Sequence, residues 1–595
     1  MNHLSIDIET FSSEPIAKTG LYKYVQSPDF EILLFAYSLN NATVEIIDLA
    51  SGELLPDWIN RAIFDPTYIK HAYNAPFEIC CLSKFYGQPL PIDQWRDTML
   101  HGLYCGFTAG LDATGKALGL SADKQKLSTG KSLIRYFCTP CSPSKANGGR
   151  TRNLPKHDED KWKLFKDYCR QDVVTEMEIE KKLSAFPVPD DIEKQWQTDF
   201  RINSRGVAVD MKMVQGALEI VEKTREKLLQ EAVNITGLSN PNSVTQLSKW
   251  IEENTSETVS DLLVQVQNLA RTYIDMKYLP FARTVIKNRD GNKISILFGS
   301  TMDTLSQLIR TSFIAGNGHK LVDADFSSIE ARVIAWLSGE GWVLDVFKTH
   351  GKIYEATASQ MFDVPIEKIK KGNPEYALRQ RGKVATLALG YQGGVGALIA
   401  MGALNMGIPE EDLQDIVNRW RESNKRIVDF WYKLENAAIK TIQTGEQVGV
   451  NNLLFTREFD LASGLDFMTI TLPSKRKLYY AKPKLTTNQW GKPSIAYYGV
   501  NQTSKQWTML ETYGGKLAEN ITQSVARDCL ALAIENLEAN GFPIVFHVHD
   551  EVIIDCPESS ADLQKVVEIM TQPIPWAKDL PLNADGWIGD FFRKD

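Results

Sequence analysis

Leu321-Val322-Asp323-Ala324-Asp325-Phe326-Ser327-Ser328-Ile329-Glu330-Ala331-Arg332 starts as an apolar strand, meets acid, and passes through two serines into a helical run. Helix starts favour Ser and Asp, so this stretch alone also reads as a Ser-capped helix and nothing more. A second stretch, Pro543-Ile544-Val545-Phe546-His547-Val548-His549-Asp550-Glu551-Val552-Ile553-Ile554, predicts two apolar strands joined through His549-Asp550-Glu551 at a hairpin tip. A lone hairpin tip is usually just solvated. The two gain meaning from what lies between them.

Between them, Arg379, Lys383, Leu387 and Tyr391 recur every fourth residue, so a helix carries them along one slowly drifting stripe. Cations stand at one end and an aromatic ring at the other, beside Gly390-Tyr391-Gln392-Gly393-Gly394. Such a stripe suits a nucleoside triphosphate: Arg379 and Lys383 neutralise phosphates, and Tyr391 packs near the nascent base pair.

With these three pieces in order, residues from about 192 to 595 resemble DNA polymerase family A, in its phage-type branch. The wording Ser328-Ile329-Glu330-Ala331-Arg332 and Ala388-Leu389-Gly390-Tyr391-Gln392 carries the phage likeness. The resemblance implies that Asp325 and Asp550 bind two Mg²⁺, with Mn²⁺ as a substitute, and catalyse phosphoryl transfer. It implies that Glu330 stands against the sugar and excludes a 2′-OH, and that Gln523 touches the primer-template minor groove. It places His549 and Arg271 at the DNA, with His549 and Glu551 supporting the catalytic hairpin. Leu387 stands where relatives carry Phe or Tyr, so discrimination at the sugar 3′ position does not carry over. Tyr354 stands where some relatives place a phosphate-contacting His.

In the first third, Ile6-Asp7-Ile8-Glu9-Thr10 puts two carboxylates on one face of a strand. Taken alone such a pair is more often a solvated strand edge than a site, but the flanking Ile residues point to an interior strand, where an unpaired carboxylate is costly. With Asn74-Ala75-Pro76-Phe77-Glu78 and Tyr168-Cys169-Arg170-Gln171-Asp172, it resembles the 3′-5′ exonuclease of the Asp-Glu-Asp-Asp superfamily, in the variant with Tyr before the last Asp. The resemblance implies that Asp7, Glu9, Glu78 and Asp172 hold two divalent cations and that Tyr168 orients the attacking water. Glu78 departs from the family's Asp, but Glu still binds a hard cation. Asp97 reads as structural.

The expected fold is multidomain, α/β and α+β: a ribonuclease H-like exonuclease domain followed by a right-hand polymerase. The expected divisions are 1–188, exonuclease; 189–262, a shortened thumb; 263–345, the first part of the palm; 346–445, fingers; 446–595, the second part of the palm with a strand-rich insert near 446–500. Phe186-Pro187-Val188-Pro189-Asp190-Asp191 marks the first boundary. Landmarks at Asn242 to Leu247 and Val266 to Arg271 lie several tens of residues closer than in relatives. Either the chain is shortened there or a segment falls outside this numbering; a true deletion predicts weak primer-template binding with both metal sites intact.

A chain of 595 residues exceeds one core. Its net charge of -8 decides little, because phosphate binding needs only local Lys and Arg. Eight cysteines at irregular spacing predict a reducing compartment, and Cys138-x-x-Cys141 without a second pair predicts no zinc site. No leader and no apolar run of membrane length is visible, which predicts a soluble, cytoplasmic monomer, in the host cytoplasm if phage-encoded. The expected partners are primer-template DNA and deoxynucleoside triphosphates, and the expected role is DNA synthesis with proofreading in phage replication. Flap removal by a preceding 5′ nuclease domain is not expected. The competing readings are an exonuclease or repair nuclease with an impaired polymerase body, disfavoured by Asp325, Asp550, Arg379 and Lys383, and a single-subunit RNA polymerase, disfavoured by Glu330.

Overall fold

The computed structural model describes residues 1–126, 130–254, 274–487, 491 and 493–593. Arg271, the Val266 to Arg271 landmark and the division expected at 262 lie outside these described residues.

The N-terminal unit is built on a sheet of β1 (Asn2–Phe11), β2 (Glu31–Leu39), β3 (Glu45–Ile47), β4 (Tyr68–Ala72) and β5 (Trp95–Asp97), in the order β3-β2-β1-β4-β5. Strands β1 and β2 run antiparallel, while β4 lies parallel to β1 and β5 parallel to β4. Alternation along β1 buries Leu4, Ile6 and Ile8 in one core and turns Asp7 and Glu9 to the other face. The Glu159–Leu183 helix covers that second face through Trp162, Phe165, Tyr168, Cys169 and Val173. The carboxylate pair therefore faces packed protein.

The Asp190–Arg205 helix leaves this unit and docks on the C-terminal part, where Arg205 forms a two-pronged ion pair with Glu538 at 2.8 and 2.9 Å. The short strands β6 (Ala208–Val209) and β7 (Phe313–Ile314) pair antiparallel and bracket a helical unit. In it the Met211–Thr236 helix packs on the Leu279–Lys287, Gly291–Phe298 and Thr301–Leu308 helices around Met213, Ile220, Val285, Ile286 and Leu308. Gly216 allows the tight crossing, since a Cβ there would stand 2.2 Å from the Ile286 carbonyl oxygen. Residues 279–308 pack with the Met211–Thr236 helix, because its apolar stripe needs their side chains to be covered.

The C-terminal sheet is antiparallel in the order β15-β16-β8-β17, with β8 (His319–Phe326), β15 (Ile544–Val548), β16 (Glu551–Pro557) and β17 (Ala584–Gly589). The Ile329–Ser338, Lys425–Thr444 and Gly514–Ala539 helices share its core. The Leu413–Ser423 and Lys425–Thr444 helices are separated by Asn424, a buried residue with φ −119° and ψ 49°. The strand-rich insert is a six-stranded antiparallel meander of β9 (Val448–Val450), β10 (Leu453–Asp460), β11 (Leu465–Thr471), β12 (Lys477–Thr487), β13 (Pro493–Val500) and β14 (Trp507–Thr512). It runs past residue 500 because β14 closes its edge. Phe467 and Ala481 of this meander join Phe107, Leu118, Ile179 and Phe186 in one core, with Trp507 stacked on Phe107 at 5.1 Å. The insert thus ties the N-terminal unit to the C-terminal sheet.

Candidate active sites

Asp325 and Asp550 reach each other through strand register. Glu551 pairs with Asp325 across β16 and β8, and the Phe326 amide donates to the Asp550 carbonyl at 3.2 Å. His549 makes the turn in a left-handed conformation, φ +55°, so a two-residue loop joins β15 to β16. The carboxyl groups of Asp325 and Asp550 hydrogen-bond each other, and burial pushes Asp550 up from the ordinary carboxylate range. Two carboxyls in contact suit either one shared proton or a bound cation. This donor set fits divalent metal.

The Ser-capped helix start is corrected by the structure. Ser328 is left-handed, φ 53°, and its hydroxyl caps nothing. Arg332 holds the turn instead, its Nε donating to the Ser327 carbonyl at 2.7 Å and its Nη1 to the Pro581 carbonyl at 2.8 Å.

A cleft of about 270 Å³ opens beside the pair, lined by Asp325, Glu330, Tyr354, Leu387, Tyr391 and Asp550 among others. Glu330 is held by Gln523, whose Nε2 donates to Oε1 at 2.7 Å. The cationic helix runs Ala377–Leu389 and stops short of Tyr391, which the sequence placed on it. Gly390 keeps helical dihedrals, φ −57° and ψ −24°, so Tyr391 still enters the cleft from the following turn. Lys383 makes no ion pair among the described residues. Arg379 is engaged: its Nε donates to Glu355 Oε1 at 2.8 Å and its guanidinium lies 5.3 Å from the centre of the Tyr354 ring.

The second centre lies in the N-terminal unit. Asp7, Glu9 and Cys169 each offer a ligand atom, all within 4.8 Å of one another. Glu78 and Asp172 lie close enough to Asp7 for charge to act between them, outside that closest group. Burial pushes Asp7 up to about 8, with the Asp172 charge adding to the shift. Burial and the Asp7 charge likewise raise Glu9 and Glu78. Glu78 Oε2 and Asp172 Oδ1 are buried without a hydrogen-bond partner among the described residues. So many buried acid groups facing one another fit a cation-binding chamber. Lys126 supplies one positive charge, pairing with Asp172 and lying 4.7 Å from the centre of the Tyr168 ring. Tyr168 is itself buried, stacked on Phe165 at 6.1 Å. Asp97 accepts from the Asn74 and Met99 amides, both at 2.9 Å, and so fixes the turn ahead of Glu78. Cys138 and Cys141 go separate ways, with Cys138 Sγ toward Glu9 and Cys141 Sγ toward the Arg150 carbonyl.

Lys126, Cys169, Arg332 and Glu355 carry no role in the sequence reading of either site. Cys169 had a signal, since it lies three residues before Asp172 and shares its helix face. Lys126 sits in a loop and had none.

A family model described as DNA polymerase family A matches residues 300–594. A DNA polymerase of Bacillus phage SP02 is 46% identical over 100% of both chains; the alignment runs to 661 positions, so that relative has several tens of residues without a counterpart among the 595 here. The thermostable DNA polymerase I of Thermus aquaticus is 26% identical over 48% of this chain and 28% of that one. In fold, the chain is similar to the POL domain of Pol1 from M. smegmatis, solved in complex with DNA primer-template and dNTP, with a TM-score of 0.54, 18% identity, and coverage of 99% of this chain and 95% of that one. Among the described residues no helix is long and apolar enough to cross a membrane.

Proposed function

The chain belongs to DNA polymerase family A, and from that premise we propose that it extends a primer along a template at Asp325 and Asp550 and trims the primer's 3′ end at Asp7, Glu9, Glu78 and Asp172. Its substrates are deoxynucleoside triphosphates and primer-template DNA, and its setting is phage replication. In this reading the unit up to residue 188 proofreads, the helices from Met211 to Leu308 form the thumb, the β15-β16-β8-β17 sheet is the palm, and residues 346–445 are the fingers.

The observation that carries the synthetic reading is the contact between the Asp325 and Asp550 carboxyls, held by the register of β8 and β16. Bound there, a pair of Mg²⁺ ions supplies Lewis-acid polarisation of the primer 3′-OH and charge neutralisation at the triphosphate. The protein's part is placement. Asp325 and Asp550 hold the cations on a rigid sheet. Lys383 and Arg379 meet the triphosphate from one helix, Tyr391 packs against the new base pair, and Glu330, braced by Gln523, fills the space a 2′-OH would need.

The trimming reading rests on the buried carboxylates around Asp7 and on the unpaired oxygens of Glu78 and Asp172. Tyr168, stacked on Phe165 and beside Lys126, orients a water toward the scissile phosphate in this reading. Primer extension with Mg²⁺, run beside degradation of a mispaired primer, separates the two centres. Asp325→Ala abolishes extension and spares degradation; Asp7→Ala does the reverse. Normal extension by Asp325→Ala refutes the assignment.

A further inference from the structure

The chamber around Asp7 and Glu9 contains sulfur as well as oxygen. Tyr168, Cys169 and Asp172 fall on the face of the Glu159–Leu183 helix that covers β1. Cys169 is fully buried, and its Sγ lies 3.4 Å from Asp7 Oδ2 and 3.8 Å from the Asp7 carbonyl oxygen. On the other side of the pair, Cys138 Sγ lies 3.8 Å from Glu9 Oε2. The unpaired oxygens Glu78 Oε2 and Asp172 Oδ1 each belong to a residue only 3% exposed and close enough to Asp7 for charge to act between them.

We propose that Asp7, Glu9 and Cys169 together form a mixed carboxylate–thiolate site that binds a thiophilic divalent cation, Zn²⁺ or its probe Cd²⁺, through the Cys169 sulfur. The proposal rests on reading this chamber as the metal centre for trimming, and it adds a ligand and a selectivity to that reading.

Geometry and chemistry agree. Zinc bonds are about 2.3 Å to sulfur and about 2.0–2.2 Å to carboxylate oxygen, so a tetrahedral site separates its ligand atoms by roughly 3.3–3.8 Å. Donors already within 4.8 Å of one another reach that spacing with a closure of about an ångström. The two cation classes treat the chamber differently because sulfur is soft. Mg²⁺ takes oxygen ligands and leaves Cys169 a thiol, whereas Zn²⁺ or Cd²⁺ displaces the thiol proton to solvent and takes the thiolate. Glu78 and Asp172 present only oxygen, and the other sulfur beside the pair, Cys138 Sγ at 3.8 Å from Glu9 Oε2, is not part of the closest donor group.

The test is Cd²⁺ titration of the full chain without Mg²⁺, followed by equilibrium dialysis and by the ultraviolet thiolate-to-cadmium charge-transfer band. The parent protein is expected to bind one Cd²⁺ with that band, and Zn²⁺ is expected to compete it away at far lower concentration than Mg²⁺. Cys169→Ser removes the band and weakens Cd²⁺ by at least ~10-fold, the loss seen when even outer partners of a metal site are removed. Cys169→Ala repeats the measurement with a different side chain, circular dichroism checks that both variants fold, and Cys141→Ala keeps the band. An unchanged band and affinity in both folded Cys169 variants overturns the proposal, as does a band lost in Cys141→Ala or Cys138→Ala but kept in Cys169→Ser. Mg²⁺-dependent degradation by the parent and by Asp7→Ala, assayed in parallel, decides the trimming reading separately.

Discussion

Replacing Glu355 by Gln should tighten the binding of deoxynucleoside triphosphates. In the proposed reading Arg379 meets the incoming phosphates, yet in the structure its Nε–H is donated to Glu355 at 2.8 Å, with the two side chains 29% and 17% exposed. A charge-assisted hydrogen bond contributes a net ~1.5–3 kcal/mol. Partial exposure lowers that to about 1–2 kcal/mol, because water screens the pair. A triphosphate must take the guanidinium away from Glu355, so this energy is subtracted from nucleotide binding. Gln keeps a carbonyl oxygen to accept the Nε–H and removes the competing charge. The expected result is a KM for the nucleotide lowered about 5- to 30-fold. With ground state and transition state equally affected, kcat is little changed. Single-nucleotide incorporation at varied triphosphate concentration measures both, with Arg379→Ala as the opposing control that raises KM. A KM that rises several-fold in Glu355→Gln refutes the reasoning, since Glu355 would then be holding Arg379 in its working position.

Two further outcomes follow from packing and charge. The buried His101 ring lies between Glu180 Oε2 and the Phe186 carbonyl oxygen, both at 2.9 Å, so both ring nitrogens must donate and the ring must be charged. Burial opposes that charge, but hydrogen bonds to Cys105 and Glu180 outweigh it and hold His101 at about 10. A raised histidine stabilises fully below about pH 6.5 and loses its contribution as pH rises through 10, at most about 5 kcal/mol. Thermal unfolding from pH 6.5 to 10 should therefore fall more steeply for the parent than for His101→Gln, and equal slopes would rule this out. At Gly382 a Cβ would stand 2.2 Å from the Tyr354 carbonyl oxygen and 2.9 Å from the Ala358 amide, so Gly382→Ala must push the Ile353–Phe362 and Ala377–Leu389 helices apart. At a cost of about 1–3 kcal/mol, extension should drop about tenfold or more while degradation of a mispaired primer persists; extension at the parent rate would contradict the packing.

Local pattern carried the elements that matter most. The alternation around Asp7 and Glu9 predicts a strand, and β1 is one; the run from Leu321 predicts a strand ending near Asp325, and β8 ends at Phe326. Both follow from side-chain period, which a few residues suffice to reveal. Boundaries set by long-range packing were hidden. Nothing between Met211 and Asn254 says that its apolar stripe is covered by residues 279–308, and nothing in the strands near residue 500 says that β14 completes their sheet.

The same physics divides the sites. Sequence by itself determined the family and singled out the carboxylates and the cationic stripe as candidates, because those residues stand in short ordered motifs whose spacing is local. Only the tertiary structure decided their partners. Glu355 reaches Arg379 from 24 residues away, Gln523 reaches Glu330 from 193, and Cys169 reaches Asp7 from 162. Such contacts depend on how helices and sheets cross in space, and no periodicity along the chain encodes a crossing. That is why the family and its motifs were legible in the sequence, while the Asp172–Lys126 pair, the glutamate holding Arg379 and the sulfur beside Asp7 were not.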